Sequence, residues 1–200
     1  MAPAEAHIRA FVAIEIGDAA RAACAELIQR MRLMPARVTW VRPENLHLTL
    51  RFLGDVSEDQ IATLAAQIRP ELALLASFDA TLRGVGVFPH PRRPSVIWTG
   101  FESANSDVAA IQPIVEHAAS AIGLTPETRP FVPHVTLGRV RRESQKGGVF
   151  AVLESVNPFA TDAFTVDAVS LFSSELTPQG VRYTRLHRLT LDGLSRARSV

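Results

Sequence analysis

Two short segments carry, in matching order, residue types suited to proton transfer: His47-Leu48-Thr49-Leu50 and His134-Val135-Thr136-Leu137. One lies in each half of the 200-residue chain. An imidazole titrates near neutral pH, so of two facing histidines one can be neutral while the other is protonated. The neutral ring takes a proton from water and the protonated ring gives one to a leaving oxygen. A threonine hydroxyl beside each ring can hydrogen-bond nonbridging phosphate oxygens. Such a set suits in-line attack at phosphorus. On the residues alone the two imidazoles are interchangeable, because the two motifs are nearly identical.

The His-x-Thr spacing implies how this set is built. Side chains alternate faces along a strand. His47 and Thr49 therefore point one way and Leu48 and Leu50 the other, and the second motif repeats the arrangement. The Leu48/Leu50 and Val135/Leu137 faces can enter a core while the His/Thr faces line a cleft. If a pseudo-twofold axis relates the halves, the cleft receives two imidazoles and two hydroxyls that face each other. Arg51 shares the parity of His47 and Thr49 and is expected to add positive charge to that cleft. Arg139 has the parity of Leu137, so it reaches the cleft only if a bulge or strand end turns it.

Other chemistry finds less support. Neither motif offers a second His, a Cys or a carboxylate at ligand spacing, so no metal site is expected. Cys24 is the single cysteine, which excludes a disulfide framework and fits a reducing compartment. It sits at helical spacing among alanines and reads as core. His7, His90, His117 and His187 stand alone and read as surface or packing residues. Gly84-Val85-Gly86 opens no helix and lacks the rest of a dinucleotide fingerprint. Ser95 and Ser173 sit in no nucleophile elbow. The run Arg139, Arg141, Arg142, Lys146 reads equally as a solvated face and as a rest for an RNA backbone.

The elements that must hold the motifs are legible. Residues 9–16 form an apolar, β-branched run expected as a strand, and Ala20, Cys24, Leu27, Ile28 and Met31 follow at helical spacing. Pro43-Glu44-Asn45 makes a turn before the strand that starts at His47 and closes at Gly54. Ser57 with Gln60 predicts a capping box, opening a helix bent at Pro70. Strands are expected at 79–88 and 95–100. A helix starts at 105–107, with Pro113 marking a kink or a late start and Gly123 its cap. Strands at 133–140, 163–173 and 181–191 follow, with a chain break at Gly147-Gly148, a short helix at 149–156 and a fraying tail from Ser195. Strict strand–helix–strand alternation is missing, so the class expected is α+β rather than a doubly wound parallel sheet.

A net charge of +1, with 47% hydrophobic residues, describes a folded globular chain and not a polybasic binder. No run approaches the roughly 18 apolar residues of a transmembrane span. No secretion signal is read at Met1–His7, so a soluble cytoplasmic protein, with nothing demanding a partner copy, is expected.

The chain resembles the two-histidine (2H) phosphoesterase superfamily, and within it the RNA 2′,3′-cyclic phosphodiesterase (2′-5′ RNA ligase-like) family. Its most specific segments are residues 47–54 (HLTLRFLG) and 133–139 (PHVTLGR), supported by residues 9–14, Trp98-Thr99-Gly100, and Gly180 followed by Tyr183. Gly138 departs from the alanine common there. The resemblance implies a single two-lobed α+β domain over 1–200, with antiparallel-rich sheets lining a central cleft and helices outside. It implies metal-independent, cofactor-free hydrolysis of an RNA 3′-terminal 2′,3′-cyclic phosphate to a 2′-phosphate, with weak reverse ligation. It implies His47 as proton donor and His134 as proton acceptor, with Thr49, Thr136 and Arg139 on the phosphate. Two other readings stay open: a cyclic phosphodiesterase for small cyclic nucleotides or ADP-ribose cyclic phosphate, and a catalytically idle RNA-binding module.

Overall fold

The apolar runs pair into strands, and the amphipathic stripes cover one face of them. The computed structural model describes residues 7–33, 37–103, 107–141, 153 and 156–193. Along the chain these form β1 (His7–Glu15), α1 (Asp18–Arg32), β2 (Val38–Trp40), a 3-10 turn (Pro43–Asn45), β3 (His47–Ser57) and α2 (Glu58–Leu72). There follow β4 (Phe78–Phe88), β5 (Val96–Ser103), α3 (Asp107–Ala121), β6 (His134–Val140), β7 (Phe164–Val166), β8 (Ala168–Thr177) and β9 (Gly180–Thr190).

The helices form where the sequence signals them. In α1 the stripe Ala20, Cys24, Leu27, Ile28 and Met31 is buried. The capping box opens α2: Ser57 Oγ accepts from the Gln60 N–H at 3.2 Å, and Gln60 Oε1 accepts from the Ser57 N–H at 3.0 Å. Only two residues of α2 follow Pro70. α3 runs from Asp107 straight through Pro113, so the late start does not occur. Gly123 takes φ +89°, a left-handed cap that costs glycine nothing. There Gly123 N–H bonds Ser120 O at 3.0 Å, and Leu124 N–H bonds Ala119 O at 3.1 Å. The break at 147–148, most of the helix expected at 149–156 and the tail from Ser195 lie outside the described residues; Leu153 and Val156 are buried.

Among the described residues, nine antiparallel strands make one sheet in the order β7-β4-β5-β6-β3-β1-β8-β9, with β2 added along β6. The class is α+β, as expected. The sheet divides naturally into halves, β3-β1-β8-β9 and β6-β5-β4-β7. Each half contains a strand, a helix and then a motif strand: β1-α1-β3 in one, β5-α3-β6 in the other. The halves meet at a single antiparallel pair, Leu48 opposite Val135. Both side chains are fully buried in the core that the helices cover.

That pair places the two motifs. In antiparallel pairing, residues on either side of an opposed pair oppose one another in turn. Centred on Leu48 and Val135, the register sets His47 against Thr136 and Thr49 against His134. A local twofold relation between the motifs thus follows from the pairing.

Candidate active site

Because Leu48 and Val135 point into the core, His47, Thr49, His134 and Thr136 stand on the opposite face of the seam. All four are half-buried. Each histidine is anchored the same way. His47 Nδ1 lies 2.8 Å from the Asn45 carbonyl, and His134 Nδ1 lies 2.7 Å from the Val132 carbonyl. A carbonyl only accepts, so both Nδ1 atoms carry the proton and both Nε2 atoms keep a lone pair. His47 Nε2 is 3.0 Å from Thr49 Oγ1, whose hydroxyl donates to it in the neutral ring.

Aromatic side chains wall both imidazoles. Phe11 stacks on His47 with centroids 4.8 Å apart, and Tyr183 meets the same ring edge-on at 5.4 Å. Phe88 and Trp98 meet His134 edge-on at 5.0 and 6.2 Å. Burial disfavours the charged form, so the proton affinity of both falls. Burial carries His47 from the usual 6.5 down to about 4, against an opposing pull from its hydrogen bond to Asn45. Burial also lowers His134, again opposed by its carbonyl, and Arg139 lowers it further. Positive charge on His134 adds to the depression of His47, so the two rings sense each other across the cleft.

Two β-bulges decide which arginine joins them. In the β1–β3 ladder Val12 faces Arg51 and Ala13 faces Thr49, leaving Leu50 as an extra residue. In the β5–β6 ladder Ile97 faces Gly138 and Trp98 faces Thr136, leaving Leu137 extra. Each bulge falls immediately after the motif threonine and reverses the alternation beyond it. The expectation that Arg51 shares the cleft face is therefore corrected. Its guanidinium lies on the helix side, with Nε 3.2 Å from Glu116 Oε2 of α3 and Nη2 donating to the Thr125 carbonyl. The same reversal swings Arg139 to the cleft, where its charge lowers the proton affinities of His134 and Tyr183.

The structure thus gathers His47, Thr49, His134, Thr136 and Arg139 and sends Arg51 elsewhere. It also adds residues that sequence reasoning missed. Glu15 is the cross-strand neighbour of His47, and its Oε2 accepts from Ser170 Oγ and Arg185 Nη1, each at 3.0 Å. Arg21 of α1 donates to the carbonyls of Pro43 (2.8 Å) and Leu46 (3.3 Å), clamping the turn that supplies the Asn45 carbonyl to His47. No local pattern marks either residue, because their partners are strands or turns apart in sequence. Beside His47 lies a cavity of about 370 Å³ walled by Phe172, Tyr183, Asn45 and the Gln179-Gly180 turn.

Among the described residues no three His, Cys, Asp or Glu side chains stand together where they could hold a metal ion. Nor is any described helix long and apolar enough to cross a membrane. Cys24 is fully buried, and burial pushes its thiol up to about 12, which leaves it inert.

The family described as LigT like Phosphoesterase matches residues 14–98 and 102–183. A protein of Methanothermobacter thermautotrophicus named RNA 2′,3′-cyclic phosphodiesterase is 33% identical over 177 residues, 88% of this chain and 95% of the relative. One of the same name from Aeropyrum pernix is 35% identical over 151 residues, 74% of this chain and 84% of the relative. Among solved structures, TT0787 of Thermus thermophilus superposes with a TM-score of 0.75 at 28% identity, covering 93% of this chain and 99% of that one. LigT of Escherichia coli complexed with 3′-AMP gives 0.73 at 25% identity, covering 92% and 98%. The match extends through both halves, each with its own histidine and threonine, and holds in sequence and in fold alike: the chain belongs to the LigT-like phosphoesterase family.

Proposed function

We propose that this protein hydrolyses the 2′,3′-cyclic phosphate at RNA 3′ ends to a 2′-phosphate. The observation that carries this reading is the antiparallel seam that sets two Nε2 lone pairs and two threonine hydroxyls around one face. Relatives named RNA 2′,3′-cyclic phosphodiesterase and a related structure complexed with 3′-AMP support the substrate class.

In the scheme, His134 Nε2 takes a proton from water as the water oxygen attacks phosphorus. The P–O3′ bond breaks in line, and His47 delivers its Nε2 proton to O3′. The products are a 2′-phosphomonoester and a free 3′-hydroxyl. Thr49 and Thr136 donate to the nonbridging oxygens, and Arg139 offsets the charge that builds there. Local charge does not choose between the rings: Arg21 lowers the proton affinity of His47 more than Glu15 raises it, and Arg139 lowers that of His134, so the division of roles follows the family resemblance. Both rings are neutral at pH 7 when the cleft is empty, so His47 gains its proton together with the anionic diester.

The direct test is incubation with an RNA ending in a cyclic phosphate, with the position of the product phosphate identified. A 3′-phosphate product, or no turnover, refutes the reading. Parallel rates on a mononucleoside cyclic phosphate separate an RNA end from a small-nucleotide substrate.

A pH dependence follows. Competence needs one ring protonated and one neutral, so kcat/KM peaks between the two free-protein values. Burial lowers both below 6.5, so that maximum is expected on the acid side of 6.5 and the rate falls as pH rises from there. Bound phosphate, being anionic, raises both values, so the kcat maximum is expected at higher pH than that of kcat/KM. Coincident optima above pH 7 contradict the assigned environments.

A further inference from the structure

The cavity beside His47 has no task in the proton transfers. His47 is one of its walls, but Phe88, Trp98 and His134 are not, so it belongs to one side of the reacting phosphate. It is large enough to enclose a small polar ligand. The hydrogen bonds of its wall determine what charge it takes. Three consecutive carbonyls of the β8–β9 turn are already engaged: Gln179 O accepts from Arg42 Nη2, Gly180 O from Thr177 Oγ1 at 2.7 Å, and Val181 O from Asn45 Nδ2 at 3.0 Å. The Glu15 carboxylate, also in the wall, accepts from Ser170 and Arg185.

With these acceptors engaged, the wall offers chiefly donors. Arg42 and Arg182 both line the cavity, with side chains 53% and 66% exposed. A guanidinium carries five N–H donors. Arg42 uses one on the Gln179 carbonyl and stands no closer than 4.0 Å to Glu44, and Arg182 meets Glu175 through Nη2. Arg42 is also held in place. Its guanidinium rests on Gly180, where φ is +115° and an added Cβ would touch Nη2 at 3.6 Å. A planar fork fixed in this way loses little freedom when it takes up an anion. The proposed reaction supplies that anion. Water attacks in line from the His134 side, so O3′ and the sugar that bears it lie on the His47 side. From that sugar an RNA continues through its 5′ oxygen to another phosphodiester, which carries one negative charge. A mononucleoside cyclic phosphate has no such group.

We propose that the cavity beside His47 is the subsite for the penultimate nucleotide of the RNA, with Arg42 and Arg182 on the phosphodiester that joins it to the reacting one. The subsite makes the protein favour an RNA end over a mononucleotide. It rests on the proposed hydrolysis for the substrate class and the direction of the chain, but its test reads binding and not turnover. Affinities of adenosine 2′-monophosphate and of the dinucleotide adenylyl-(3′→5′)-adenosine 2′-phosphate are measured by calorimetry for the wild type, Arg42→Ala, Arg42→Lys and Arg182→Ala. The wild type is expected to bind the dinucleotide about tenfold more tightly, the worth of one charged contact. Each alanine variant is expected to weaken the dinucleotide about 3- to 10-fold, a modest loss because both cations are exposed, and to leave the mononucleotide unchanged. Arg42→Lys is expected to restore part of the loss. Added salt is expected to weaken the dinucleotide more steeply than the mononucleotide, and less so in the alanine variants, because each phosphate contact releases counterions. Equal wild-type affinities for the two ligands overturn the subsite. Equal weakening of both ligands means that the arginines only shape the wall around His47 and overturns it too, as does an unchanged dinucleotide affinity in both alanine variants. Arginine-dependent dinucleotide binding without hydrolysis of any cyclic phosphate rejects the proposed reaction and upholds the subsite; hydrolysis with equal affinities does the reverse.

Discussion

His134→Ala and His47→Ala each lower turnover of a cyclic-phosphate RNA by about 10²–10⁴-fold, the usual worth of a positioned general acid or base. The geometry makes the expectation specific. Each ring is held by one Nδ1 bond to a carbonyl two residues earlier, which leaves Nε2 as the working atom. An asparagine keeps a donor near Nδ1 and removes Nε2. His47→Asn and His134→Asn are therefore expected to retain the melting temperature and still lose the rate. The two rings act on one event, so the double variant should cost little more than either single one. Thr49→Ala and Thr136→Ala should lose less, since each removes a neutral hydrogen bond. Full activity in either histidine variant, measured as initial rates on the same oligonucleotide, refutes the scheme.

Arg139→Ala is expected to lower kcat/KM about 10²–10³-fold with little change in stability, and Arg51→Met to do the reverse. Arg139 is exposed on the cleft face, and its charge is felt by His134 and Tyr183. Removing a positioned donor from the developing phosphate charge costs on that order. Lysine restores part of the effect, because it supplies charge without the planar fork. Arg51 has a different task. Its side chain and that of Glu116 are only 12% and 20% exposed, with Nε and Oε2 3.2 Å apart. Removing the cation leaves a largely desolvated carboxylate, at a cost of about 1–3 kcal/mol in stability. Thermal melts and steady-state rates on both variants read the contrast directly. If Arg51→Met loses activity as Arg139→Ala does, the bulge at Leu50 does not have the consequence drawn from it.

These two arginines show where sequence reading stops. His47 and Thr49, like His134 and Thr136, are separated by one residue within a strand, so plain alternation suffices to put each pair on one face. Beyond each threonine an extra residue enters the ladder. Strict parity then assigns Arg51 to the cleft and Arg139 away from it, and the structure does the opposite in both cases. Both leucines at the bulges are buried, Leu50 at 4% and Leu137 at 0%, so both keep the core contact that a regular strand would also give them. Burial pattern alone therefore does not betray the bulge. The helices were easier to read. The capping box at Ser57/Gln60 and the glycine cap at Gly123 are local signals, and both form as expected.

Local order in the chain is enough to specify the α+β class, the helix ends and the four residues of the paired motifs, since each depends on neighbours within a few positions. Long-range pairing settles the rest. One opposed pair at Leu48 and Val135 joins the halves, two ladder irregularities choose Arg139 over Arg51, and Glu15, Arg21 and Tyr183 reach His47 from other elements. The reason is physical: strand register and bulges are set by how distant segments pack against each other, and the free energy that selects them is written in no single stretch of sequence.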